Sequence, residues 1–183
     1  MASSSAQAPA QLKSRLWSDS AQQVYALVMG SRVPDLPKRL AEADVADHDC
    51  LLPGALDAAA ALSAPYLVRL RAESAFTDWL LFEAGASLGD WGLVAVSAAP
   101  QLRLRAHWRG LLQASLPDGH SIALDWMDPE IFWALLPLFD AAGLARFFGP
   151  VSTLVQPGAN AWRHARVESN LLQQVDIPLA KAA

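Results

Sequence analysis

LRAHWRGLLQASLPDGHSIALDWMDPEIFWALLPLFDAAGLARFFGPV, residues 104–151, carries five local signals in a fixed order. Leu104, Trp108, Leu111 and Leu112 recur at i, i+4, i+7 and i+8, which puts them on one side of a helix with Arg105 and Arg109 side by side along its edge. Such a stripe packs against a sheet. In Pro117-Asp118-Gly119, proline pre-sets one turn dihedral and glycine accepts a positive φ, so the flanking runs should fold back as a β-hairpin. Ile122, Leu124 and Trp126 alternate with Ser121, Ala123 and Asp125, the period of a strand that hides one face. Asp128 offers a side-chain oxygen to the free N–H groups of a helix start, and Pro129, lacking an N–H, suits the first helical position. Ile131, Leu135 and Leu138 then mark a buried stripe. Pro137 should kink or restart that helix near Leu136, and Phe148-Gly149-Pro150 should stop the next one.

Outward from this stretch, strand and helix signals alternate. Residues 24–29 read as a buried strand stopped by Gly30, 37–46 as a helix, and 50–52 as a short strand before Pro53-Gly54. Residues 55–63 are helix-prone, 66–70 look like strand, and 74–84 form an amphipathic helix with Phe76, Leu80 and Ala84 on one stripe. Strands at 91–96 and 151–155 complete the set before the Gln156-Pro157-Gly158-Ala159-Asn160 loop. The order predicts an α/β single domain, with a mixed, mostly parallel sheet flanked by helices and one β-hairpin around Pro117 to Gly119. Residues 1–20, small and polar, are expected to be disordered or loosely docked, 21–156 to form the domain, and 157–183 to form a C-terminal tail.

At 183 residues and 53% hydrophobic composition, the chain supports one well-buried core rather than two. Its formal charge of −4 argues against a general nucleic-acid or anionic-membrane binder, which presents a basic excess. No apolar run approaches the roughly 20 residues that span a bilayer, so no membrane insertion is expected. The start MASSSAQAPAQLKSR has neither the cationic region nor the apolar core of a signal peptide, and a cytoplasmic location is expected. Cys50 is the single cysteine, which rules out an intrachain disulfide.

The ordered fragments resemble a known family. Tyr25-Ala26-Leu27, Pro65-Tyr66-Leu67-Val68, Thr77-Asp78-Trp79-Leu80, Trp91-Gly92-Leu93, Leu104-Arg105-x-His107-x-Arg109, Pro117-Asp118-Gly119, Asp128-Pro129 and Phe147-Phe148-Gly149-Pro150 are similar to the domain of the adaptor chaperones that load toxic effectors onto the spike of the bacterial type VI secretion system, catalogued as a domain of unknown function. The resemblance implies a non-catalytic adaptor that binds a type VI effector, its valine-glycine-repeat spike protein (VgrG), or both, without a cofactor. The chain departs from the family pattern at Asp125 and Glu130, where arginines are usual, and it has a short C-terminal part where many relatives continue into a further lobe. An internal pairing of Arg103, Arg105 or Arg109 with Asp125, Asp128 or Glu130 is expected to answer the charge reversal.

The remaining chemistry is sparse. Asp47-His48-Asp49-Cys50 contains possible ligands and a thiol, yet no His-x-x-x-His or paired-cysteine spacing completes a metal site, so a buried cysteine beside a solvated acidic loop is the preferred reading. His107 projects roughly 160° away from Arg105 and Arg109 on an ideal helix, which argues against a three-residue anion cradle. Asp118 and Asp128 are explained as turn and cap residues. Met29-Gly30-Ser31-Arg32 has neither a dinucleotide fingerprint nor a phosphate-loop ending, and no serine sits in a nucleophile elbow. An alternative reading is a small hydrolytic or ligand-binding enzyme whose site gathers Asp47, His48, His107 and Asp128. Under the adaptor reading the partner-binding candidates are Arg105, Arg109, Glu130 and Trp133, the last because it lies about 160° from the Ile131 and Leu135 stripe.

Overall fold

A computed structural model describes residues 7–88, 90–115, 118–123 and 126–180. Strand β1 (Gln23–Met29) is an interior strand buried on both sides: Val24, Ala26 and Val28 point into one core, and Tyr25, Leu27 and Met29 into a second on the opposite face. A strand apolar on both faces needs a layer on each. One layer is made by α1 (Pro9–Leu16), α2 (Leu36–Glu42) and α4 (Ala75–Asp78), which runs on through a π-helical turn, Trp79–Ala84. The other is made by α6 (Gln101–Leu111), α7 (Pro129–Leu135) and α8 (Ala141–Phe148). Short helices α3 (Ala58–Ser63) and α5 (Gly85–Ser87) fill connections.

The sheet has seven strands in the order β2-β3-β1-β4-β7-β8-β9, where β2 is Asp47–Cys50, β3 Pro65–Arg69, β4 Gly92–Ser97, β7 Thr153–Gln156, β8 Ala161–Glu168 and β9 Leu171–Pro178. Every neighbouring pair is antiparallel, which overturns the expected mostly parallel sheet. The alternation of strand and helix arises differently. β1 and β2 run the same way across α2, and β3 and β4 run the same way across α4, but in each case another strand lies between the two. These are split β-α-β units, in which parallel strands are never neighbours.

The hairpin is present as a separate ribbon of β5 (Gln113–Ser115) and β6 (Ser121–Ala123), not as part of the main sheet. Gly119 takes φ +87°, and the Asp118 carboxylate accepts the His120 N–H at 3.0 Å. Pro117, Leu124 and Asp125 lie outside the described residues, while Trp126 is buried in the turn that follows β6. Asp128 caps α7, accepting from the N–H groups of Glu130 and Ile131 with Pro129 at the first helical position. The α7 stripe differs from the expected one. Phe132 and Leu136 are buried, whereas Ile131 and Leu138 are exposed, because the sequence Ile131 to Leu138 is apolar all round and polarity selects no face. The helix does give way at Leu136, to a 3-10 turn through Leu138.

Described residues from both expected flanks join the fold. In the stretch expected to be loosely docked, α1 buries Leu12 and Leu16 against the sheet, and Lys13 pairs with Asp78 at 2.6 Å. In the stretch expected as a tail, β8 and β9 extend the sheet, with Trp162 and Ile177 buried on the α1 side.

Candidate functional site

Arg105 and Arg109 leave α6 toward β2. Arg105 Nη1 donates to Asp49 Oδ2 at 2.5 Å, while Arg109 donates to the carbonyls of Leu51 (3.0 Å, from Nε), Cys50 (2.8 Å) and Leu52 (3.3 Å, both from Nη2). Internal pairing was expected, but with other partners: Asp128 instead receives Arg32 at 2.8 Å, and Glu130 is exposed. Trp133 sits farther along the sheet, against β7 and β8. Its indole Nε1 donates to Gln156 Oε1 at 2.5 Å, Gln156 donates on to Asp90 at 2.8 Å, and the Arg163 guanidinium lies 5.1 Å from the ring centroid. Half-buried and tied to β7 and β8, Trp133 loses the spacing argument for a free interface residue. Four strand steps separate β2 from β7, roughly 19 Å at the usual interstrand spacing, so the Arg105–Arg109 pair and Trp133 are not in contact with one another.

The enzyme candidates are also dispersed. His48 lies opposite Val68 on the face toward α1, whereas Asp49 lies opposite Leu67 on the face toward α6. His107 is on the α6 side, where its Nε2–H donates to the Phe147 carbonyl at 2.9 Å, and burial pushes its pKa down, so the ring is neutral. Cys50, at the end of an edge strand, is half-buried rather than buried, and desolvation still pushes its thiol up, away from the thiolate that a nucleophile needs. Among the described residues no group of three His, Cys, Asp or Glu side chains stands close enough to hold a metal ion, and no helix is long and apolar enough to cross a membrane.

The motif residues instead hold layers together. A Cβ at Gly149, where φ is +51°, would collide with the His107 ring, so glycine lets the end of α8 close onto α6. Ser97 donates to the Pro150 carbonyl at 2.6 Å, and Tyr25 to that of Ala99 at 2.9 Å. Trp126 packs at a tilt 5.0 Å from Trp108 and edge-on to Phe147 at 5.2 Å, and Phe147 in turn meets Phe148 edge-on at 6.2 Å.

These contacts give a physical role to fragments whose order matches a known pattern, and the family described as Domain of unknown function (DUF4123) matches residues 24–146. The chain belongs to this family. No curated protein and no solved structure matches it. The DUF4123 span ends within α8, before β7, β8 and β9.

A concavity lies beside those later strands. A groove of about 700 Å³ runs between the end of α1 and the α1-side face of β7, β8 and β9, with Leu16, Val155, His164 and Val175 among its lining and Arg15 and Arg166 at its sides. Among the described residues α1 is the one helix that lines it. Burial lowers the His164 pKa to about 4, assisted by the positive charges of Arg15 and Arg166, so at neutral pH the imidazole is uncharged. Sequence reasoning missed this site because it treated both of its walls, α1 and the β8–β9 hairpin, as ends outside the domain. Leu12 and Leu16 at i and i+4 behind Pro9 were the available signal.

Proposed function

We propose that this protein is a non-catalytic adaptor of type VI secretion, which binds an effector, its valine-glycine-repeat spike protein, or both, in the cytoplasm and promotes effector loading. The observation that carries the reading is the use of the motif residues. Tyr25, His107, Arg109, Asp128 and Phe147-Phe148-Gly149-Pro150 are engaged in joining elements of the fold, and a groove with mixed apolar and polar walls remains open beside them. Recognition by shape needs no more than that, and neither a cofactor nor nucleic acid enters the account. The test is purification of the tagged protein from its native bacterium under secretion-inducing conditions, followed by mass spectrometry. Reproducible recovery of a spike protein or a toxin-domain protein is the expected result; recovery of neither defeats the adaptor reading.

A further inference from the structure

The two edges of the sheet are built differently. β2 is four residues long and carries Asp47, His48 and Asp49, charges of the kind that keep a sheet edge from pairing. β9 is eight residues long, and from Leu171 to Val175 it reads Leu-Leu-Gln-Gln-Val, without charge, proline, glycine or a break in register. That is an unguarded edge.

Its hydrogen-bonding groups can be assigned. β8 and β9 are joined by Ser169-Asn170, both at positive φ, the two-residue hairpin geometry in which the flanking pair, Glu168 and Leu171, exchanges hydrogen bonds. Alternation then turns the N–H and C=O of Leu171, Gln173, Val175 and Ile177 toward β8, and those of Leu172, Gln174, Asp176 and Pro178 away from it. Two observations agree with this. Pro178, with no N–H to give, falls on an outward position, and its carbonyl accepts the N–H of Gln7, at 2.9 Å, from outside the hairpin. Among the described residues no backbone bond reaches the outward groups of Leu172 or Gln174. Among the described residues the open length of edge therefore runs from the turn to the Gln7 bridge at Leu179.

Leu171 and Val175 are 64% and 48% exposed and lie on the same face, with Gln173 midway between them. We propose that two copies of this chain pair antiparallel through β9 about a two-fold axis at Gln173. This register puts Leu171 of each copy opposite Val175 of the other, Gln173 opposite itself, and Leu172 and Gln174 in hydrogen-bonded pairs. It is consistent with the outward groups just assigned, because Gln173 points its backbone groups inward and so can only occupy a non-hydrogen-bonded site on the axis. Apolar side chains meet apolar side chains without any change in the fold, and the two sheets become continuous. A single short strand pair buries a modest area, so the dimer is expected to depend on concentration. Nothing in this pairing depends on the adaptor reading.

The test is sedimentation velocity of the full chain over a wide concentration range, with three variants. Gln174→Pro removes an outward N–H without touching the β8 ladder, and should weaken dimerisation by at least about tenfold, since each dimer loses two such bonds. Gln173→Lys places like charges together on the axis and should also give monomer; its exposed position keeps the test intact if the proline variant misfolds. Gln173→Cys in a Cys50→Ala background should oxidise to a covalent dimer, because non-hydrogen-bonded pairs bring Cα atoms within disulfide range. A chain monomeric at every concentration overturns the proposal, as does a dimer that survives both the proline and lysine variants or that the Gln173→Cys variant does not lock. A monomeric chain that loses a secretion partner on Gln174→Pro also overturns it, assigning the edge to that partner's strand.

Discussion

Replacing Arg109 with alanine should cost far more stability than replacing Arg105, although the two lie one turn apart on the same helix face. Arg109 satisfies three consecutive carbonyls where the chain leaves β2, those of Cys50, Leu51 and Leu52, and Leu51 is fully buried. Hydrogen bonds from a charged donor contribute about 1.5–3 kcal/mol each when the acceptor is otherwise stranded. Water can reach the half-buried Cys50 and Leu52 segments, so the three together amount to about 2–4 kcal/mol. In a domain of this size that lowers the melting temperature by roughly 5–12 °C. Arg105 makes one ion pair with Asp49, both side chains about one-third exposed, and such a pair contributes about 0.5–1 kcal/mol after screening. Arg109→Lys keeps the charge but cannot fork to three acceptors, and it should recover less than half the loss. Urea titration followed by tryptophan fluorescence, with unchanged m-values, measures all three. Equal losses for the two alanine variants, or full recovery by lysine, would refute the argument that geometry rather than charge holds the β2 end.

Gly149→Ala should destabilise by about 2–4 kcal/mol through the clash with His107 and the strained positive φ; in a His107→Ala background only the smaller backbone part, about 1–3 kcal/mol, should remain, measurable as a double-mutant cycle. Leu12→Ala should cost about 2–4 kcal/mol in the same assay, and a loss under about 0.5 kcal/mol would mean that α1 is not part of the core. Acid should weaken the fold through His164. With a folded pKa of about 4 against an ordinary 6.5, the unfolded chain takes up the proton first. Stability is therefore insensitive to this group above about pH 6.5 and falls as pH drops toward 4, by about 2–4 kcal/mol in all. His107 is shifted the same way, and His164→Gln should flatten the slope without removing it.

Local chemistry was legible where a residue type has one conformational use. The turn at Gly119, the cap at Asp128, the break at Pro137 and the stop at Gly149 all follow from the chain read four residues at a time. Pairing was not, because a split β-α-β unit and a true parallel unit share the same alternation of strand and helix. The partners of Arg105 and Arg109 lie more than fifty positions earlier, beyond any local rule. The β8–β9 hairpin hid for a different reason: its turn is Ser169-Asn170 rather than a glycine pair, and Arg163, Arg166 and Glu168 give β8 the polarity of a tail.

The oversights at α1 and at the β8–β9 hairpin coincide with the surface proposed for function, and the coincidence has a physical basis. Residues that fix a fold are engaged inside it, so the fragments that carry the family resemblance cannot also tell one partner from another. Under the adaptor reading, discrimination falls to side chains that the scaffold does not need, and the α1 groove and the β9 edge supply them beyond the matched span. Gln173 and Val175 line the groove, the first on the proposed dyad and the second beside it, which makes cargo binding and self-pairing neighbours on one strand. A Gln174→Pro monomer that still retains the spike or effector places the partner within one groove. A monomer that loses it, when the wild-type dimer binds, places the partner across the axis, with two grooves forming one continuous receiving surface.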